Sequence, residues 1–311
     1  GIAMLNVSAV DYSLLKNENL INKPVTIDLT PPQIYLLTPT NNINPGGSCV
    51  VGFRTSEPTV ASGVWVDNFF SQGYPATISG KPAIVTYFGL PTEARKGANI
   101  RIMARDGGEN EASTVIPSLI RLKKFRSDKM KLTDNFLNQK MPDFRPLPPA
   151  LQGKSPLEIF TYVNGQLRNE NEAAIREICR KSEPRQLWEG TFLRMKDASP
   201  MAMFGDRRTY IFGNKTIGES IHFGVDLASL AHAPVEASNN GVVKYTGNMG
   251  IYGNTIIVDH GLGIFSIYGH LSVINAKTDQ QVKKGDIIGN TGTTGLAGGD
   301  HLHFGMLAGG Q

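Results

Sequence analysis

The chain has 311 residues, with 31 Lys and Arg against 27 Asp and Glu for a net charge of +4, and 40% of it is hydrophobic. This length suits roughly two or three domains and excludes the need for metal or disulfide staples; the composition excludes wholesale disorder, and no run of about 18 apolar residues is present to span a membrane. The mild positive excess suits an acidic polymer partner without specifying one, and no nucleic-acid partner is expected.

Gly1 to Met4 show neither a basic n-region nor an apolar h-region, so any export signal is expected upstream of Gly1. Residues 1–29 read as the remnant of a preceding sandwich. Ala9-Val10-Asp11 with Asn19 echoes Ala104-Arg105-Asp106 with Asn110, and the Asp-to-Asp offset is 95 residues. Residues 30–122 read as a β-sandwich, with short apolar or alternating runs at 33–37, 48–53, 63–67, 83–88, 99–104 and 113–122 separated by Pro, Gly and Asn. The segments beginning at Asp28 and Ala104 resemble bacterial Ig-like surface domains.

Residues 123–190 are expected to form a basic linker and a helical hairpin. Between 121 and 145 there are eight Lys and Arg against three Asp and Glu, which suits a solvated connector or, more sharply, a patch for anionic wall polymers. Ser155-Pro156-Leu157-Glu158 is a capping box with proline at the first helical position. A second helix is expected over 171–181, with Asn164, Asn169 and Glu170 on the turn side. Such a hairpin needs a neighbour for its apolar face. It would pack on the back of the following domain or, alternatively, occlude its groove. Cys49 and Cys179 fall in different predicted domains and read as free buried thiols.

From residue 191 the pattern returns to short apolar runs and glycine turns, giving a mostly β, multidomain chain. All six histidines lie between His222 and His303, and 20 of 34 glycines fall in the last 111 residues. His222 and Asp226 form H-x3-D. His301 and His303 form H-x-H, which on a strand puts both imidazoles on one face with Leu302 and Phe304 on the other. Two imidazoles and a carboxylate form a donor set suited to catalytic zinc, which keeps a position open for water. No HExxH is present, which excludes a thermolysin-type site.

These motifs, with Phe204-Gly205-Asp206-Arg207-Arg208 before them and Tyr268-Gly269-His270-Leu271 and Val282-Lys283-Lys284-Gly285-Asp286 in order between them, closely resemble the lysostaphin/LytM-type zinc metallopeptidases, which cleave peptides of bacterial cell walls. The resemblance runs from about residue 192 to 305 and implies a compact antiparallel β domain over 191–311 with a narrow groove. It also implies one Zn2+ held by His222, Asp226 and His303, with His270 and His301 catalytic. The implied activity is peptide-bond hydrolysis in peptidoglycan stem peptides or cross-bridges, in the cell envelope. Relatives that lack zinc ligands make a non-enzymatic regulator or wall-binding protein the alternative. His260 reads as structural and His232 as exposed and inert. Asp300 stands where the family often has proline, and could raise the His301 pKa or lie in solvent. The sequence stops seven residues past Phe304, short of the family's usual closing segment.

Overall fold

The structure, a computed structural model, describes every residue except Pro39 and Leu147. It is mostly β, built from several sheets and one principal helical segment. Residues 2–26 are an antiparallel hairpin of strands Ile2–Val10 and Glu18–Thr26. Its turn repeats a clamp found in the next hairpin. Asp11 accepts from the backbone N–H of Ser13 and Asn17 and from the Asn17 amide. Asp106 accepts from the backbone N–H of Gly108 and Asn110 and from the Asn110 amide. The counterpart of Asn110 is therefore Asn17, not Asn19. At the same 95-residue offset, Leu5 and Val7 match Ile100 and Ile102. The latter pair is 2% and 0% exposed, whereas Leu5 and Val7 are 50% and 46% exposed.

Two four-stranded sheets follow. Ile34–Leu36, Ser48–Thr55, Lys81–Gly89 and Tyr74–Ile78 form one; Glu111–Val115, Ile100–Arg105, Ala61–Val66 and Phe69–Gln72 form the other. Alternation puts Val51 and Phe53 of one sheet against Val64, Val66, Ile100 and Ile102 of the other, in a core of their own. Cys49 and Cys179 are both free.

The basic segment is not a free connector. Ser127–Lys131 pairs in parallel with Arg207–Phe212, which pairs with Lys215–Ile221. Leu132, Leu137 and Met141 then enter a core shared with the helical segment and the C-terminal sheet. Lys129 and Lys131 are exposed on an edge strand, where charge also discourages further pairing.

Nor is there a helical hairpin. The capping box at Ser155 and Glu158 forms with both bonds present. The chain then runs through Pro156–Tyr162, a π-helical turn at Val163–Leu167 and Arg168–Ile178 with no reversal. Its apolar face supplies Ile159, Phe160, Val163 and Ile175 to the same core as Tyr210, Ile257, Phe265 and Ile267.

A seven-stranded antiparallel sheet organises the C-terminal region, in the order Ser199–Ala202, Val225–Ala228, Leu302–Ala308, Ile264–Leu271, Asn254–Gly261, Gly241–Asn248, Gln281–Val282. Period-two alternation divides its residues between two cores. Ile256, Val258, Tyr268 and Leu302 face one; Ile257, Phe265 and Ile267 face the other, which holds the helical segment. Among the described residues no helix is long and apolar enough to cross a membrane.

Candidate metal centre

Asp226 and His303 are direct partners across the antiparallel strands Val225–Ala228 and Leu302–Ala308, where facing side chains come within about 5 Å. His222 lies just before the first strand. Its N–H donates to the Asp206 carbonyl, and its own carbonyl accepts from Gly205 N–H. Asp206, 3% exposed, is pinned in turn by Arg126 at 2.7 Å. The sheet and this loop bring three atoms together. His222 Nε2 is 2.9 Å from Asp226 Oδ1 and 3.1 Å from His303 Nδ1, and His303 Nδ1 is 3.0 Å from Asp226 Oδ1.

The carbonyl of Met203, 3.0 Å from His222 Nδ1, can only accept, so that nitrogen carries the proton and Nε2 is a bare lone pair. His303 Nε2 is buried with no partner. Two imidazole nitrogens and an anionic oxygen thus converge, a donor set that suits a cation between them. Ligand atoms around tetrahedral zinc at ~2.0–2.2 Å stand ~3.3 Å apart. The observed triangle is a few tenths of an ångström tighter, so the residues fit such an ion. Arg208 donates to the second Asp226 oxygen at 3.2 Å, fixing which oxygen faces inward. Burial opposes the Asp226 carboxylate, but the imidazoles of His222, His301 and His303 outweigh it and hold its pKa far below the usual carboxylate range.

His270 reaches the site by a break in the sheet. Strict alternation would put it on the face of Tyr268, in the opposite core. Instead the register of strands Asn254–Gly261 and Ile264–Leu271 slips between Asn254 and Ile256, and His270 takes φ 62°, a conformation uncommon outside glycine. The bulge re-aims the ring, leaving it 4.7 Å from that of His301 and 5.8 Å from that of His303, centroid to centroid. His270 Nδ1 donates to Thr294 O and His301 Nδ1 to Gly299 O, both at 2.8 Å. Both Nε2 atoms are therefore left to exchange a proton. Burial, then the His303 and His301 charges, push the His270 pKa well below its ordinary value. For His301 burial pulls the pKa down, but Asp226, 3.5 Å from Nε2, prevails and raises it.

The remaining groups lie apart from this centre. His260 is fully buried, with Nδ1 2.7 Å from Asn240 O and Nε2 2.7 Å from the Ser266 hydroxyl. His232 is exposed, and its N–H donates to Asp300. Asp300 also accepts from Thr291 at 2.5 Å; it turns to these two rather than to His301, and the acid beside His301 is Asp226. Asn164, Asn169 and Glu170 do not reach the three ligand atoms: Asn164 bonds Glu219 and Arg168, Asn169 is exposed, and Glu170 accepts from Gln166. The helical segment nevertheless flanks the centre. Phe160 and Arg168 line a groove of about 590 Å³ together with His222, Asp226, His301 and His303.

Residues 220–311 match the sequence family described as peptidase family M23. This region is a peptidase family M23 domain. Across 91 residues it is 37% identical to the DD-carboxypeptidase/endopeptidase Mpg of Neisseria meningitidis serogroup B, covering 29% of this chain and 21% of that protein. Across 90 residues it is 39% identical to the peptidoglycan DD-endopeptidase ShyA of Vibrio cholerae, again covering 29% and 21%. The chain thus spans about a fifth of these relatives' length. A solved Pseudomonas aeruginosa structure assigned to peptidase M23 matches 88% of this chain and 92% of its own, with 21% identity and a TM-score of 0.53. That likeness extends the shared fold well beyond the M23 domain.

Proposed function

We propose that this protein is a zinc-dependent endopeptidase that hydrolyses peptide bonds in peptidoglycan stem peptides or cross-bridges, and that it acts in the cell envelope. The observation that carries the reading is the convergence of His222 Nε2, Asp226 Oδ1 and His303 Nδ1 within 3.1 Å beside two imidazoles whose Nδ1 atoms are held by backbone carbonyls. The relative named as a peptidoglycan DD-endopeptidase supports the substrate class. In this reading residues 30–122 are an Ig-like unit that spaces the M23 domain or contacts the wall, and residues 1–29 belong to a preceding unit of the same kind.

His222, Asp226 and His303 would hold the zinc, with Arg208 steadying the carboxylate. Bound there, the ion supplies Lewis acidity for the scissile carbonyl and lowers the pKa of water. One of His270 and His301 accepts a proton from the attacking water, and the pair returns a proton to the leaving amine. Their Nδ1 atoms are locked by Thr294 and Gly299, so each ring acts through Nε2 alone. A non-enzymatic regulator would not need this pair beside a complete donor set.

Metal analysis combined with kinetics tests the assignment. His303→Ala should lose the zinc. His270→Ala and His301→Ala should keep it and lower kcat by ~10²–10⁴-fold. Full metal in His303→Ala, or near-normal turnover in both others, would remove the proposed roles.

A further inference from the structure

Arg168 lies outside the M23 match, yet it lines the same groove as His222 and His303. It follows directly on the π-helical turn Val163–Leu167, a local irregularity that often marks a functional position. That turn contains Asn164, which is 6% exposed and anchored by its amide to the Glu219 carbonyl at 3.2 Å. Asn164 then grips the guanidinium. Arg168 Nε donates to the Asn164 carbonyl at 3.3 Å, and Nη2 donates to Asn164 Oδ1 at 3.0 Å.

Two of the five N–H donors of an arginine are thereby committed, leaving three. Among the described residues no carboxylate comes within 4.0 Å of this guanidinium. Glu172, one turn further along, acts on it only at longer range. A half-buried cation that is held by neutral groups on a rigid helix, facing a groove, is prepared for an anion that arrives from outside. Lys131, exposed and without an acidic partner, lines the groove nearby.

The rest of the lining selects among anions. Phe136, Phe223 and Leu296, each at least partly exposed, offer apolar surface suited to the body of a peptide. A planar monoanion that a guanidinium can bind through two parallel bonds is a carboxylate.

We propose that Arg168, positioned by Asn164, binds a carboxylate of the peptide substrate and so makes the helical segment part of the specificity apparatus. This rests on the endopeptidase reading for its substrate, but recognition can be measured without cleavage. The probes are synthetic cross-linked stem-peptide dimers in three forms: all carboxylates free, side-chain carboxylates amidated, and C-terminal carboxylates amidated. Calorimetric binding to the zinc-loaded full chain is compared for wild type, Arg168→Gln and Arg168→Lys, with KM and kcat measured wherever cleavage occurs. Arg168→Gln should bind the free-acid dimer about tenfold more weakly, with the loss in KM, and Arg168→Lys should recover part of it. One of the two amidated forms should erase the difference between wild type and Arg168→Gln, which identifies the carboxylate that is read. Equal binding of the free-acid dimer by wild type and Arg168→Gln would overturn the proposal, as would an equal loss on all three forms by a variant with unchanged melting temperature. Binding that obeys the predicted pattern without cleavage would contradict the endopeptidase reading alone.

Discussion

The two ring nitrogens of His303 have opposite surroundings. Nδ1 faces Asp226 and His222, while Nε2 lies against Gly224. A Cβ at residue 224 would sit 2.6 Å from both His303 Cε1 and Nε2, and 2.8 Å from the Phe304 carbonyl. The strand cannot retreat, so the ring must rotate away from the cluster. Gly224→Ala is therefore expected to weaken metal affinity by ~10–100-fold, the range seen when groups supporting a ligand are altered, and chelator competition would measure it. Unchanged affinity would show that the ring position is not set by this contact. His260 offers a prediction of a different kind. Burial pushes its pKa from 6.5 down to about 4. Between those values the unfolded chain binds a proton that the folded chain does not, so stability rises with pH across the window. The contribution is fully present above about pH 6.5 and is lost as pH falls toward 4, up to ~3 kcal/mol for this shift. Urea unfolding of wild type and His260→Gln at several pH values should show a steeper loss in the wild type between pH 6.5 and 4. Parallel curves would mean the imidazole is not held neutral.

At the scale of elements, the helical segment is part of the protein's framework. Phe160 is 1% exposed and stands edge-on to Tyr210 with centroids 5.1 Å apart. Phe160→Ala should cost ~3–5 kcal/mol, read as a lowered denaturant midpoint, and a loss under 1 kcal/mol would show that the site collapses around the gap. By the same argument a chain beginning at Trp188 would expose the face of Ile257, Phe265 and Ile267. It should aggregate or melt early rather than cleave faster, as release of an occluding segment would require. The start of this helix was legible, because Ser155 and Glu158 carry a local capping signal that needs no tertiary partner. Its continuity was not. Arg168, Asn169 and Glu170 interrupt the apolar period and read as a turn, whereas a π turn and the hold of Asn164 on Glu219 carry the helix through. The bulge at His270 was likewise hidden. A register slip depends on the opposing strand, and nothing in the Tyr268-to-Leu271 stretch alone encodes it. The clustering of His222, Asp226 and His303 was legible because a spacing of two on a strand and of four around a bend fixes direction locally.

For the whole molecule, the strands of residues 30–122 were readable from turn residues and alternation, although Asn41–Ile43, Phe69–Gln72 and Tyr74–Ile78 escaped because they are short and sit among Pro, Gly and Asn that read as turns. The basic stretch from 121 to 145 misled for a related reason. Charge on an exposed edge strand resembles the charge of a solvated linker, and only its parallel pairing with Arg207–Phe212 separates the two. The result joins the sandwich to the M23 domain through an element that also builds the groove: Met130 and Leu132 line it alongside His222 and His303. The central claim is that this framework assembles a zinc centre that cuts cross-linked cell-wall peptides. Mass spectrometry of the fragments released from purified peptidoglycan by the zinc-loaded full chain, beside His303→Ala and a chelated sample, tests it most directly. The account predicts new termini at a single type of amide bond in the stem peptides or cross-bridges with the wild type, and none with the other two samples. Intact peptides after incubation with the zinc-loaded wild type, or the same fragments from His303→Ala, would contradict it.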